Sequence, residues 1–153
     1  MFYLLVNLEI EMIVLAKELI KKWEGCKLKA YYDGGGIPTI GYGHIKDVKI
    51  GDTCTQQQAE DWFDKEVPDY MFGILAYVNA GLNPNQVAAL TSFVYNVGLE
   101  AFRKSTMLQL LNQGKFLEAS NQFDRWNKDN GKVVLGLTNR RADEKRVFNT
   151  PVE

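Results

Sequence analysis

The sequence predicts an α+β chain, mostly helical, with a β-hairpin near its N-terminal end. Three observations predict it. Apolar residues recur at three- and four-residue steps along most of the chain. Strand-like alternation is confined to the segments flanking one glycine-rich turn at 34–38. Helix-start signals stand between the periodic stretches. At 153 residues the chain suits one domain with a real core, and 46% apolar with 24% charged residues is the balance of a folded protein. A formal net charge of −1 leaves no strong field to draw nucleic acid or an anionic cell wall.

Residues 1–11 are read as an extension of unclear role, packed on the body or lengthening the first helix, ahead of a single domain over 12–153. Glu9 and Glu11 interrupt its apolar run after about ten residues, too few to span a membrane. It also lacks the basic start and small-residue cleavage site of a signal peptide. Leu15, Ala16, Leu19, Ile20 and Trp23 then form one helix face, with Glu24 at its end and Gly25 as the stop. KLKAYYD alternates like a half-buried strand, GGGIP turns, and TIGYGHI reads as the returning strand. KDVKIGDTC is a polar connection with room for a third short strand.

Thr55 and Gln58 form a capping-box pattern, followed by Ala59, Trp62, Phe63 and Val67 at helical spacing. Pro68 predicts a kink or break there. Asn83-Pro84 starts another helix, apolar nearly all round, that runs to Gly98 as the central buried element. Ser105 caps the next helix and Gly114 stops it. Phe116, Ala119, Phe123 and Trp126 share one face of a further helix, an aromatic stripe of the kind that fills cores. NKDNGKVVLG is a polar turn with a short apolar run. Thr138 or Asn139 caps the last helix, NRRADEKRVF. Cys26 and Cys54 are expected as free thiols, though they could pair. The single His44 cannot make a zinc site, so no metal is expected.

The chemistry concentrates in residues 19–44. Glu24 sits at a helix C-terminus, unfavourably placed against the dipole and beside Trp23. Asp33 stands by a glycine turn, in wetter surroundings. Two carboxyl groups in unlike environments suit glycosidic hydrolysis, where one donates a proton to the leaving oxygen and the other handles water or positive charge. Taken alone, a Glu at a helix end and an Asp before a turn are ordinary.

Four motifs in order make the pattern specific. Glu24, eight residues, Asp33, five residues, Thr39 and then IGYGH resemble the catalytic signature of phage-type lysozymes, the endolysins related to those of phages T4 and P22. PTIGYGH, NPNQVAALTSFVYNVG, STMLQLLNQG and NRRADEKRVF extend the likeness over roughly residues 13–149, closer to the P22-like branch. The resemblance implies a lysozyme-like two-lobed domain, a small hairpin lobe at about 24–66 and a larger helical lobe at about 69–150. It implies bacterial peptidoglycan as substrate, cut at the β-1,4 bond from N-acetylmuramic acid to N-acetylglucosamine. Glu24 is then the general acid, Asp33 the group that stabilises the transition state or orients water, and Thr39 the holder of that water, which suits an inverting route.

By the same likeness Gly43, Ile45, Tyr95, Asn96 and Arg140 line the substrate site, and His44 pairs with Glu66 as a structural tie. Other readings stand beside some of these. Tyr95 can be core and Asn96 a helix cap. Either Arg140 or Arg141 can be the arginine that approaches Glu24, leaving the other exposed. No cofactor is implied. A monomer is expected, made in the host cytoplasm and released to the wall through a holin-type pore. A lytic transglycosylase needs the Glu but not the Asp–Thr pair, and a non-catalytic wall-binding domain needs neither.

Overall fold

The computed structural model describes residues 2–152. Its elements run α1 (Phe2–Glu24), β1 (Lys27–Tyr32), β2 (Pro38–Gly41), α2 (Gln56–Tyr77), α3 (Pro84–Val97), α4 (Leu99–Arg103), α5 (Thr106–Asn112), α6 (Phe116–Asn121), a 3-10 turn (Gln122–Arg125), β3 (Lys128–Asp129), β4 (Lys132–Val133) and α7 (Leu135–Phe148). β1 and β2 pair antiparallel, with Tyr31 opposite Thr39, and an irregularity lies between Lys27 and Tyr31. The mostly helical α+β expectation holds.

Two apolar clusters organise the body. Ala16 and Ile20 of α1 meet Tyr42, Ala59, Phe63, Val67 and Ala88. Ile74 of α2 meets Leu90, Phe93, Phe102, Leu111, Phe123 and Phe148. α2 thus feeds both clusters, and α3 lies between them, buried from Val87 to Val94. Both helices start with a complete capping box, Thr55 with Gln58 and Asn83 with Gln86. Each box satisfies two of the amide protons that a helix start leaves free.

Several boundaries depart from expectation, each for a local reason. α1 runs unbroken from Phe2, so the extension lengthens the first helix, with Phe2, Tyr3, Leu4 and Leu5 well exposed. Among the described residues, no helix is long and apolar enough to cross a membrane. α2 continues through Pro68 rather than breaking. The proline is half-exposed, while Val67, Met71 and Ile74 stay buried around it. In place of a third strand there is one bridge, Lys29 to Thr53. β2 ends at Gly41, which turns the chain at φ 65°. The expected helix through Trp126 gives way to a 3-10 turn after Asn121. Residues 128–133 form a second small hairpin, turned by Asn130 and Gly131 at φ 49° and 77°, the positive pair such tight turns require. α7 starts at Leu135, not at Thr138 or Asn139; Thr138 Oγ1 instead donates to Val134 O and accepts from Asn127 Nδ2. Cys26 and Cys54 are free thiols.

Candidate active site

Glu24 is the last residue of α1. Gly25 follows at φ 63°, a left-handed stop that frees the Glu24 side chain from the next turn of helix. Arg140 reaches it from α7, Nη1 donating to Glu24 Oε1 at 2.6 Å. The other two Arg140 nitrogens are held as well: Nη2 on Ser92 O at 3.0 Å, and Nε toward Glu144 Oε2 at 3.3 Å. Ser92 Oγ donates to the same Glu144 oxygen at 2.6 Å. Arg140 and Glu144 are buried, so Glu24 is tied to the core through two hydrogen-bonded charges. Its other oxygen, Oε2, lies toward Gly43. A Cβ added to Gly43 would stand 3.5 Å from Oε2 and from the Tyr95 ring, and Gly43 has φ 97°. Those distances are ordinary contacts, so it is the left-handed backbone, rather than the space, that calls for glycine here.

Asp33 is held by its own turn. Its Oδ1 accepts from Gly35 N at 2.9 Å and Ile37 N at 2.8 Å, which leaves Oδ2 unused. Its backbone closes the same turn, Asp33 N donating to Ile37 O at 3.0 Å. Thr39, buried, donates its hydroxyl proton to Ile37 O at 2.8 Å. That spends its one O–H, so Thr39 Oγ1 can only accept from a further partner.

A cleft of about 860 Å³ joins these groups. Glu24, Asp33, Thr39, Gly43, Ile45, Tyr95 and Asn96 all line it. The volume is that of a ligand site, and the walls mix apolar surface with a few convergent polar groups. Tyr31 lines it too. Burial raises the Tyr31 phenol above its ordinary pKa, and the charges of Glu24 and Asp33 add to the rise. Tyr95 serves both readings offered for it: it lines the cleft, while its ring meets Phe63 and Tyr70 edge-on and its hydroxyl donates to Tyr42 O at 2.5 Å. Burial, then the charges of Glu66 and Glu24, keep that phenol protonated.

His44 and Glu66 do contact each other, Nδ1 against Oε1, and the imidazole stacks on Trp62 at 4.2 Å. Glu66 also borders the cleft, whereas the buried His44 does not. Trp126 packs edge-on against Phe93 in the core, away from the cleft. Of the two arginines, Arg140 is the one at Glu24, but it is buried behind the acid and does not itself line the cleft as expected. Arg141 is not left exposed as expected but is 1% exposed, with Nη2 donating to Asn96 Oδ1. Asn96 is therefore no helix cap; Gly98 closes α3.

Glu144, Ser92 and the β3–β4 hairpin were not anticipated. Asp129 of that hairpin borders the cleft and approaches Gly34. Glu144 had a readable signal, since it stands four and three residues after the two arginines on one helix, where side chains meet. Ser92 had none, because its role depends on how α3 lies against α7.

The Phage lysozyme family model matches residues 21–144. Over 138 residues the chain is 45% identical to an endolysin of Bacillus phage PZA, covering 86% of this chain and 52% of that protein. It is 37% identical to the endolysin of Salmonella phage P22 over 134 residues, 84% of this chain and 91% of that one. The chain thus spans about half the length of the Bacillus phage PZA and B103 endolysins. Among solved structures, the muramidase domain of SpmX from Asticaccaulis excentricus superposes with a TM-score of 0.81 at 35% identity, over 89% of this chain and 95% of that one. An endolysin of Escherichia coli O157:H7 phage FAHEc1 gives 0.78 at 33%, over 88% and 90%. A family model spanning Glu24, the cleft residues and Arg140 behind them, with relatives that agree in sequence and in fold, makes this chain a member of the phage lysozyme family.

Proposed function

We propose that the chain is a glycoside hydrolase, a muramidase that cuts the β-1,4 bond between N-acetylmuramic acid and N-acetylglucosamine in bacterial peptidoglycan, and that it acts as an endolysin on the cell wall. The observation that carries this reading is the spent and unspent oxygens around one cleft. Arg140 takes Glu24 Oε1 and leaves Oε2 to carry the acidic proton. Two backbone amides take Asp33 Oδ1 and leave Oδ2. Thr39 Oγ1 keeps only acceptor capacity.

In the reaction, Glu24 gives its proton to the bridging oxygen as the bond from that oxygen to the sugar's anomeric carbon breaks. The ring carbon becomes oxocarbenium-like, and Asp33 Oδ2 offsets its positive charge. A water donating one hydrogen to Thr39 Oγ1 and the other to Asp33 attacks that carbon, and its proton passes to the carboxylate. Attack by water on the face opposite the leaving group gives inversion. Gly43, Ile45, Tyr95 and Asn96 line the path of the glycan. Peptidoglycan is the one partner proposed, the chain acting as a monomer.

Clearing of outer-membrane-stripped Gram-negative cells tests the reading, with wild type beside Glu24→Gln. That change keeps the shape of the side chain and removes the transferable proton. Wild type should clear the suspension, and the variant should lose at least about a hundredfold in rate, the usual worth of a general acid. Equal clearing by both would remove Glu24 from the mechanism. Anhydro-sugar ends in the product would replace hydrolysis with transglycosylation.

A further inference from the structure

Arg141 forms no hydrogen bond or ion pair with Glu24 among the described residues, yet it is among the most deeply buried side chains. A charge at that depth is costly unless it is paired and hydrogen-bonded. Its guanidinium lies 5.0 Å over the Phe93 ring, and its Nε stands 3.1 Å from Glu144 Oε1. Among the described residues, neither Nε nor Nη1 has a hydrogen-bond partner. Burial lowers the Arg141 pKa to about 10 against the opposing pull of Glu144, so the group stays charged at neutral pH. Among the described residues, its one hydrogen bond to another side chain runs from Nη2 to Asn96 Oδ1, at the cleft wall.

The chemistry of arginine decides which way that amide faces. A guanidinium carries five N–H donors and no acceptor, so it can hold only the oxygen of Asn96. The nitrogen, with two N–H donors, is left for the cleft. We propose that Arg141 is a positioning residue that locks Asn96 as a hydrogen-bond donor in the cleft wall, so that this position selects a glycan acceptor, an acetamido carbonyl or hydroxyl oxygen. The proposal rests on the glycan-cleaving reading above. Glu144 is the counter-ion that lets Arg141 stand at this depth, and the same carboxylate steadies Arg140 behind Glu24. One buried charge thereby sets both the acid and a specificity contact.

Kinetics on soluble, peptide-free glycan strands test it. Asn96→Asp keeps an oxygen for Arg141, and so the fold, but puts a carboxylate oxygen where the donor stood. KM should rise about tenfold or more with kcat within about threefold, the pattern of lost uniform binding. Arg141→Lys keeps a cation beside Glu144 but loses the planar fork, and should raise KM about fivefold. In an Asn96→Ala background Arg141→Lys should add nothing further to KM, because it acts through Asn96. Wild-type KM in Asn96→Asp, an Arg141→Lys loss confined to kcat, or the same loss in the Asn96→Ala background would each overturn the proposal.

The side-chain amide signals of Asn96 in the free protein give a readout independent of turnover. They should shift in Arg141→Lys, and unmoved signals sink the positioning role whether or not glycan is cut. If Arg141→Lys does not fold, Asn96→Asp decides alone: it must bind as poorly as Asn96→Ala. Wild type that leaves the strands intact would sink the muramidase reading, while the amide signals still judge Arg141.

Discussion

The two walls of the cleft hold their carboxylates by opposite means. On the helical side, Glu24 is anchored from the core outward: Arg140 grips it, and Glu144 and Ser92, both buried, grip Arg140. On the hairpin side, Asp33 is anchored by its own neighbours, through amides two and four residues ahead in an exposed turn. The first arrangement links α1, α3 and α7, so it exists only when those helices are packed. The second is complete within five residues, Asp33 to Ile37. Position is bought from the whole fold in one case and from local backbone in the other.

That contrast predicts which substitutions damage the fold and which damage only the reaction. The largest stability effect belongs to Glu144→Leu. It removes the carboxylate shared by two buried guanidiniums, and breaking such a cluster from one side costs roughly 3–5 kcal/mol. Urea unfolding should report that loss, and a loss under about 1 kcal/mol would mean the guanidiniums find water or other partners.

Asp33→Asn should do the reverse. The amide oxygen can still accept from Gly35 N and Ile37 N, so stability should change by less than about 1 kcal/mol. Wall clearing should nonetheless fall about a hundredfold, since the neutral amide no longer offsets positive charge or takes a proton from water. A variant that unfolds readily, or that clears walls at the wild-type rate, would erase the distinction between the two sides.

The same contrast explains what could be read in the sequence. Asp33, its glycine turn and Thr39 were legible because their geometry is local; the turn residues name the turn. The Thr55 and Asn83 helix starts were legible for the same reason. The Glu24 support was not. Spacing left Arg140 and Arg141 indistinguishable, because which one faces Glu24 depends on the rotation of α7, and its burial depends on α3. The start of α7 was missed because it lacks the side-chain cap that signalled other helices. Pro68 does not break α2, because the buried residues on either side, Val67, Met71 and Ile74, hold the helix through the hydrogen bond the proline cannot make. The second hairpin carried its own signal, Asn130-Gly131, but its strands are two residues each, too short to show alternation.

A smaller effect sharpens the comparison by joining its two ends. Asp143 ties α7 to the end of α1 just before Glu24. Lys22 Nζ donates to its Oδ2 at 2.8 Å, Trp23 Nε1 to the same oxygen at 3.0 Å, and Arg146 Nη2 to Oδ1 at 2.7 Å. Burial pushes the Asp143 pKa up, but the hydrogen bonds from Lys22, Arg146 and Trp23 outweigh it, and the carboxyl titrates below its ordinary 3.8. A folded pKa below the unfolded one means that the ionised form favours folding. Its contribution is therefore full above about pH 4 and fades as pH falls through the lower folded value. Asp143→Asn should cost about 1 kcal/mol at neutral pH, with the gap to wild type closing as the carboxylate is protonated in acid. Urea unfolding of both proteins across that range measures it. A gap that stays constant with pH would assign the tie to shape and hydrogen bonding rather than to charge, and would leave Arg140 as the charged tie between α7 and the end of α1 that matters.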